Sequence, residues 1–308
     1  MVNFTDKAMY EKTMAAYSVK SVSSLPMIVV VTPTYRRRAR IADLTRLANT
    51  LKHVKAVHWI IIEDGNATSP DVMKLLDRAL IPHSYLPYKT IPGYPKKGWY
   101  QRNMAMQYVR ENFYSILNGH KSGVLYFGDD DNSYDIRLFD EYIRKVDTLG
   151  AWAVGLVGGT QVEAPRVKEG KLVGFDVKWK PDRKFPIDMA GFAINLKFIM
   201  NTTIGFEPEC KQQGKGPESC FLEKMGFERR DVQPFVPEVE SDKEIYVWHT
   251  KPRTAKYNVT DLDSFDMYFS KPEKAVVKHK DMLLDTLGTD DMMNRLNIQT
   301  ETEILNLW

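Results

Sequence analysis

Val124-Leu125-Tyr126-Phe127-Gly128-Asp129-Asp130-Asp131 decides the reading of this chain. An apolar, β-prone run that stops at a glycine and three consecutive carboxylates places those carboxylates at the carboxyl end of a buried strand, where open α/β sheets bind their ligands. Three adjacent negative charges repel one another, and a divalent cation carrying a diphosphate is a common way to offset that repulsion. The plain alternative is a solvated acidic turn in which Asp129 or Asp131 caps a helix or closes an Asx-turn. The buried strand in front of the triplet favours the metal.

The pattern around this stretch is an alternation of strands and helices. Strands are expected at Met27–Thr32, Val57–Ile62, Ser84–Leu86 and Val124–Phe127, and helices at Ile41–Leu51, Pro70–Leu80 and Gln101–Glu111. Such alternation implies a mostly parallel sheet with crossover helices. Beyond residue 150 the character changes. Ala153–Val157 reads as a strand, Val162–Val167 and Leu172–Lys178 as a hairpin, Ser219–Met225 as a helix and Ile245–Trp248 as a strand. Helical spacing also occurs at Asp6–Tyr17, Pro272–Leu284 and Asp290–Leu296.

Composition narrows the class. With 308 residues, 43% hydrophobic and 27% charged, the chain can bury a sizeable core. A net charge of +3 gives no general argument for nucleic acid. The two cysteines, Cys210 and Cys220, are too few for a disulfide framework or a zinc finger, and they can bridge a short loop in an oxidising compartment. No run of about 18 apolar residues and no signal-peptide pattern is present, so the chain is expected to be soluble, with any membrane anchor outside it. Sequons at Asn3, Asn66, Asn201 and Asn258 fit a secretory lumen.

Several short segments carry residues suited to binding a sugar nucleotide. Pro33-Thr34-Tyr35 leaves the first strand with an aromatic ring that can stack on a base. Asp64, behind the second strand, can accept a hydrogen bond from a base or ribose. Lys97 and Arg102 flank the start of a helix, where cations and free amides favour an anion. His249 and Lys251 lie two apart at a strand end and face the same way. Glu218 lies in a glycine-rich loop entering a helix, and a carboxylate there can take a proton from a hydroxyl. Each has an ordinary structural reading by itself, and their order along the chain is what is informative. A dinucleotide-binding dehydrogenase is excluded, because the first strand is followed by Thr-Pro-Thr-Tyr rather than Gly-x-Gly-x-x-Gly.

The ordered set Val31–Tyr35, His58–Asp64, Gly98–Asn103, Tyr126–Asn132, Val154–Gly159, Phe185–Ala193 and Val247–Thr250 resembles the animal β-1,3-glucuronyltransferases over roughly residues 26–256. Asp-Met-Ala-Gly-Phe-Ala (188–193) and Trp-His-Thr (248–250) are its most specific parts. The resemblance implies a GT-A fold, with a Rossmann-like nucleotide-binding half fused to a smaller mixed acceptor-binding half. It implies a stem-like segment at 1–25, a UDP-sugar-binding part at 26–157, an acceptor-binding part at 158–256 and a divergent tail at 257–308. It further implies a homodimer in the Golgi lumen and inverting, Mn2+-dependent transfer from UDP-glucuronic acid to the 3-hydroxyl of a terminal galactose.

Residue by residue, the resemblance implies that Pro33 and Tyr35 meet the uracil, that Asp64 bonds its edge, and that Lys97 and Arg102 face the donor. It implies that Asp129 and Asp130 contact donor sugar and ribose, that Asp131 ligates Mn2+, and that His249 and Lys251 meet the diphosphate. Glu218 matches the general base, and Glu163, Trp179, Arg183 and Asp188 match acceptor or donor-sugar positions. Tryptophan at 179 resembles enzymes acting on the Gal-Gal-Xyl linker of proteoglycans rather than those acting on N-acetyllactosamine-type glycans. Two other readings remain: a different UDP-sugar transferase, and a carbohydrate-binding pseudoenzyme without turnover. The chain departs from the family at Lys97 and Lys251, where arginine is usual, in a longer segment between Glu218 and Trp248, and in its tail.

Overall fold

The computed structural model describes residues 24–212, 216–237 and 244–250. Residues 24–35 and 41–250 belong to one compact unit, and residues 36–40 fall outside it. The helices expected at Asp6–Tyr17, Pro272–Leu284 and Asp290–Leu296, and the candidate Lys251, lie outside the described residues.

The strands of the first unit are β1 (Met27–Thr34), β2 (Val57–Glu63), β3 (His83–Pro87), β4 (Gly123–Phe127), β5 (Ser133–Tyr134), β6 (Leu149–Ala151), β7 (Val154–Gly155), β8 (Val162–Lys168), β9 (Lys171–Asp176), β10 (Phe192–Asn195), β11 (Val232–Pro234) and β12 (Val247–Trp248). Among the described residues a seven-stranded sheet runs β11-β6-β10-β4-β1-β2-β3. Its β3, β2, β1 and β4 are parallel neighbours, whereas β10 is antiparallel to both β4 and β6. The expected α/β architecture with a mostly parallel half is thus the observed one. β1, β2 and β4 read as continuous aliphatic runs because helices cover both faces of the sheet, and Ile28 to Val31, Trp59 to Ile62 and Leu125 to Tyr126 are fully buried.

The second sheet runs β5-β12-β7-β8-β9. It draws β5 and β7 from before residue 157, while β10 and β11 from after it complete the first sheet. The two halves are therefore interleaved along the chain. Some expectations change in detail, and some short elements were not expected. Of Ala153–Val157 only Val154 and Gly155 pair, because Leu156 takes a left-handed conformation (φ 59°) that turns the chain. The short strands β6 and β11 and the helix Phe113–Leu117 carry no periodic signal. The helix expected from Gln101 begins at Trp99, after Gly98 at φ 73°. A side-chain carbon at Gly98 would lie 2.8 Å from the Arg102 guanidinium and 2.9 Å from Pro33, so glycine is needed there for contact as well as for conformation.

The Cys210–Cys220 disulfide joins the short helix Glu209–Gln212 to the helix Pro217–Lys224, with 5.8 Å between the α-carbons. Phe206 stacks on Phe221 within the same junction (4.5 Å between centroids, 22° between planes), and both pack on Phe127 at the end of β4. The helix bearing Glu218 is thus tied covalently and through aromatic contacts to the sheet. Replacing both cysteines by serine is expected to lower unfolding free energy by about 2–3 kcal/mol, the chain-entropy value for a loop of this size, measured by urea denaturation.

Candidate active site

The carboxyl ends of β1, β2 and β4 lie side by side, and each contributes to one polar edge. Thr34, at the end of β1, donates through Oγ1 to Asp130 Oδ2 (2.7 Å), and Thr32 donates to the Gly128 carbonyl (2.6 Å). The backbone of the triplet is held from several sides. Tyr134 OH donates to the Asp129 carbonyl (2.6 Å), and Arg46 Nη2 (3.0 Å) and Thr250 Oγ1 (2.7 Å) both donate to the Asp131 carbonyl. Asp129 is ion-paired with the buried Arg102, which also donates to the Lys97 carbonyl (3.0 Å). The sequence reading left the charge of the triplet to a cation, but the protein itself offsets much of it: Asp129 has a guanidinium and Asp130 a hydroxyl donor.

Asp64, behind β2, has both carboxylate oxygens engaged by Thr90, Oδ1 accepting from the backbone N–H and Oδ2 from Oγ1, each at 2.7 Å. A carboxylate has about four acceptor sites, so this leaves capacity for a further donor. Tyr35 is 57% exposed, and Lys97 is exposed beside the helix start.

Among the described residues no three His, Cys, Asp or Glu side chains group closely enough to enclose a metal ion. The donor chemistry at the triplet suits a hard cation of another kind, one bound through a single carboxylate that completes its shell with phosphate and water oxygens. Asp131, the half-buried last member of the triplet, is the residue that would hold it.

Next to this edge lies a cleft of about 610 Å³ lined by Glu163, Trp179, Arg183, Asp188, Glu218 and His249, with Leu156, Val157, Gly158 and Ile187 as its apolar lining. Residues from four separate stretches of the sequence reading meet there. Asp188 is fixed by local structure: its Oδ1 accepts from Ala190 N (3.0 Å), capping a turn, and the Ala190 carbonyl accepts from Tyr126 OH (3.0 Å) and Trp152 Nε1 (2.8 Å). The small residues of Asp-Met-Ala-Gly-Phe-Ala let this turn sit against β4. Arg183 lies over the Trp179 ring (4.4 Å from its guanidinium carbon to the ring centroid) and is held through Nε and Nη2 by the Lys180 and Trp179 carbonyls, both at 3.1 Å. Gly158, at φ 63°, passes so close to Glu163 that any side chain would collide with its carboxylate.

The electrostatics of the cleft are unbalanced. Glu163, Asp188 and Glu218 share it with Arg183, which stands 3.7 Å from Glu218, and with His249, whose Nδ1 is 3.7 Å from Asp188. Burial, reinforced by the Asp188 charge, pushes Glu218 up to about 7, and Glu163 is raised for the same two reasons. Arg183 is lowered by burial. Glu163 Oε1 and Arg183 Nη1 are buried and lack a hydrogen-bond partner among the described residues. Unmatched buried polar atoms are costly, and a ligand rich in hydroxyls would satisfy both. A carboxyl group titrating near neutrality beside such atoms can take a proton from a hydroxyl.

The sequence reading brought Glu163, Trp179, Arg183, Asp188, Glu218 and His249 forward through the family resemblance or strand position, and the fold joins them in one cleft. It missed Thr34, Arg46, Thr90 and Thr250, which act by bonding backbone or carboxylates far away in sequence. Leu156 was also missed, although its position just before Gly158-Gly159 offered a signal for a turn.

A sequence profile of glycosyltransferase family 43 matches residues 47–253. The chain is 40% identical over 255 residues to galactosylgalactosylxylosylprotein 3-beta-glucuronosyltransferase sqv-8 of Caenorhabditis elegans, covering 78% of this chain and 68% of that one. It is 38% identical over 250 residues to galactosylgalactosylxylosylprotein 3-beta-glucuronosyltransferase 2 of Homo sapiens, covering 79% and 74%. Against galactosylgalactosylxylosylprotein 3-beta-glucuronosyltransferase P of Drosophila melanogaster it is 35% identical over 266 residues, 80% of this chain but 52% of that one, so the chain spans about half of the fly protein. The crystal structure of S. aureus TarS 1-349 aligns with a TM-score of 0.45 and 14% identity over 78% of this chain and 62% of that one, a likeness too distant to bear on function.

The raised affinity of Glu218 for its proton has a direct consequence. Between its ordinary value of 4.5 and about 7 the folded protein holds a proton that the unfolded chain has released, so the stability contributed by this group falls as pH rises through that window. Replacing Asp188 by asparagine removes the like charge and is expected to lower the Glu218 pKa, measured by NMR titration of carboxyl-labelled glutamate.

Proposed function

The chain belongs to glycosyltransferase family 43, and from that premise we propose that it transfers glucuronic acid from UDP-glucuronic acid to the 3-hydroxyl of a terminal galactose, with inversion, on the Gal-Gal-Xyl linker of proteoglycans. The observation that carries this reading is the placement of Glu218: a carboxyl group raised to about 7, in a cleft with unpaired polar atoms, beside the aspartate edge. The names of the relatives support the donor sugar and the linker acceptor. A tryptophan face at 179, with Arg183 behind it, suits a galactose ring.

Tyr35 stacks on the uracil and Asp64 accepts from its edge, with Thr90 fixing the carboxylate. Asp129 and Asp130, held by Arg102 and Thr34, present oxygens to the sugar and ribose hydroxyls. Asp131 holds Mn2+, which when bound supplies charge neutralisation to the diphosphate leaving group. His249 adds a donor on the same side. Across the cleft, Arg183, Asp188 and Glu163 orient sugar hydroxyls. Glu218 takes the proton of the attacking 3-hydroxyl as that oxygen bonds to the anomeric carbon and the bond to UDP breaks, so one displacement converts an α-linked donor into a β-linked product. Arg183 keeps enough ionised Glu218 available near neutral pH. Catalysis in the Golgi lumen is part of the proposal and is supported by the Cys210–Cys220 disulfide, which an oxidising compartment sustains.

A transfer assay with UDP-glucuronic acid and MnCl2 is expected to give turnover on a Gal-Gal-Xyl acceptor above that on N-acetyllactosamine; turnover with another UDP-sugar alone would refute the donor assignment. Glu218→Gln is expected to lower turnover by about 10²–10⁴-fold while calorimetric UDP affinity stays close to the parent's. Asp131→Ala is expected to abolish the Mn2+-dependent part of UDP binding in the same calorimeter.

A further inference from the structure

We propose that Gln101-Arg102-Asn103 is a three-way clamp in which consecutive side chains of one helix each hold a different part of the site, Gln101 positioning Asp64, Arg102 the aspartate edge and Asn103 the helix that carries Glu218 in the cleft. The roles of those two carboxylates rest on the glucuronyl-transfer reading; the clamp itself rests on the contacts. Consecutive helical residues project about 100° apart, so three neighbours cannot all serve one wall, and here they do not.

Gln101 is fully buried, and its Nε2 donates to the Tyr88 carbonyl (2.8 Å) and to Thr90 Oγ1 (3.0 Å). Thr90 is the residue that engages both oxygens of Asp64. Arg102 reaches the aspartate edge through Asp129. Asn103 turns the other way and closes a reciprocal pair with a residue 103 positions on: its Nδ2 donates to the Phe206 carbonyl (2.9 Å) and its Oδ1 accepts from Phe206 N (2.7 Å). Both backbone groups of a fully buried phenylalanine are thereby satisfied, because a side-chain amide carries a donor and an acceptor side by side.

Phe206 transmits that position. It stacks on Phe221, three residues after Glu218 on the helix Pro217–Lys224, and touches Phe127 at the end of β4. An ion pair between Lys224 and Glu207 and the Cys210–Cys220 bridge tie the same two segments. There is no slack at the contact, since a side-chain carbon on Gly205 would lie 2.4 Å from Asn103 Oδ1. Losing the amide pair frees Phe206 to shift, and the base-bearing helix shifts with it.

The test separates the two arms. Asn103→Ala is expected to leave calorimetric affinity for UDP with MnCl2 within about twofold of the parent's and to lower kcat about 10²-fold, the penalty of a misplacement on the order of 1 Å. Gln101→Ala is expected to weaken UDP about tenfold, with most of its loss in donor affinity. Asn103→Ser keeps a neutral polar group at the position, so its kcat is expected between those of the parent and Asn103→Ala; thermal melting identifies any variant that fails to fold, and this milder one then decides. Equal losses of affinity and turnover in both variants, or no loss in either, would overturn the clamp. Should the parent transfer no glucuronic acid, the functional reading fails alone. The clamp is then judged by UDP affinity in Gln101→Ala and by hydrogen exchange in Asn103→Ala, expected to quicken across 201–212 and 217–224; unchanged exchange there overturns it.

Discussion

Glu163, Asp188 and Glu218 converge on a cleft in which Arg183 is the guanidinium that faces them, and the rest of the site is arranged around that imbalance. Water cannot screen these charges well, so the fold lets Glu218 hold a proton up to about pH 7 and keeps Arg183 at 3.7 Å, outside hydrogen-bond distance. A tighter ion pair would lower the carboxyl's affinity for a proton and, in the role proposed for Glu218, occupy the oxygen that receives one. Stability is given up here for reactivity, as is common where groups are held ready for a substrate.

The surrounding structure supports this arrangement. Asp188 is immobilised by a turn whose carbonyl accepts from Tyr126 and Trp152 in the core. Arg183 is pinned by two carbonyls and the Trp179 ring. Glu218 rides on a helix fastened by a disulfide and by the Phe206–Phe221 stack. On the donor side, the aspartate triplet is set by hydrogen bonds from Thr34, Tyr134, Arg46 and Thr250. The interleaving of the two sheets brings these supports together, because β5 and β12 pair directly beside the triplet.

What could be read from the chain beforehand follows from the physics of each feature. β1, β2 and β4 were legible because strands buried on both faces become uninterrupted aliphatic runs, and the triplet was legible because carboxylates at such a strand end need an explanation. Short strands were not: Val232-Gln-Pro pairs with Leu149-Gly-Ala over three residues, and three residues carry no period. Arg46 carried no signal and Thr250 only that of its motif, because a side chain that bonds a carbonyl 85 or 119 positions away leaves no local pattern. The tripeptide Gln101-Arg102-Asn103 was noticed for the right place and a different reason. It reads as an anion site at a helix start, whereas Arg102 spends its charge on Asp129 and its neighbours bind Thr90 and Phe206.

The central claim is that Glu218 deprotonates an acceptor hydroxyl for a single displacement at the donor's anomeric carbon. The most direct measurement is the anomeric configuration of the first-formed product, read from the proton coupling constant in NMR spectra of the purified enzyme turning over UDP-glucuronic acid and a galactosyl acceptor. A β-linked glucuronoside is predicted. An α-linked product would require two displacements or a front-face path, and would contradict the role assigned to Glu218.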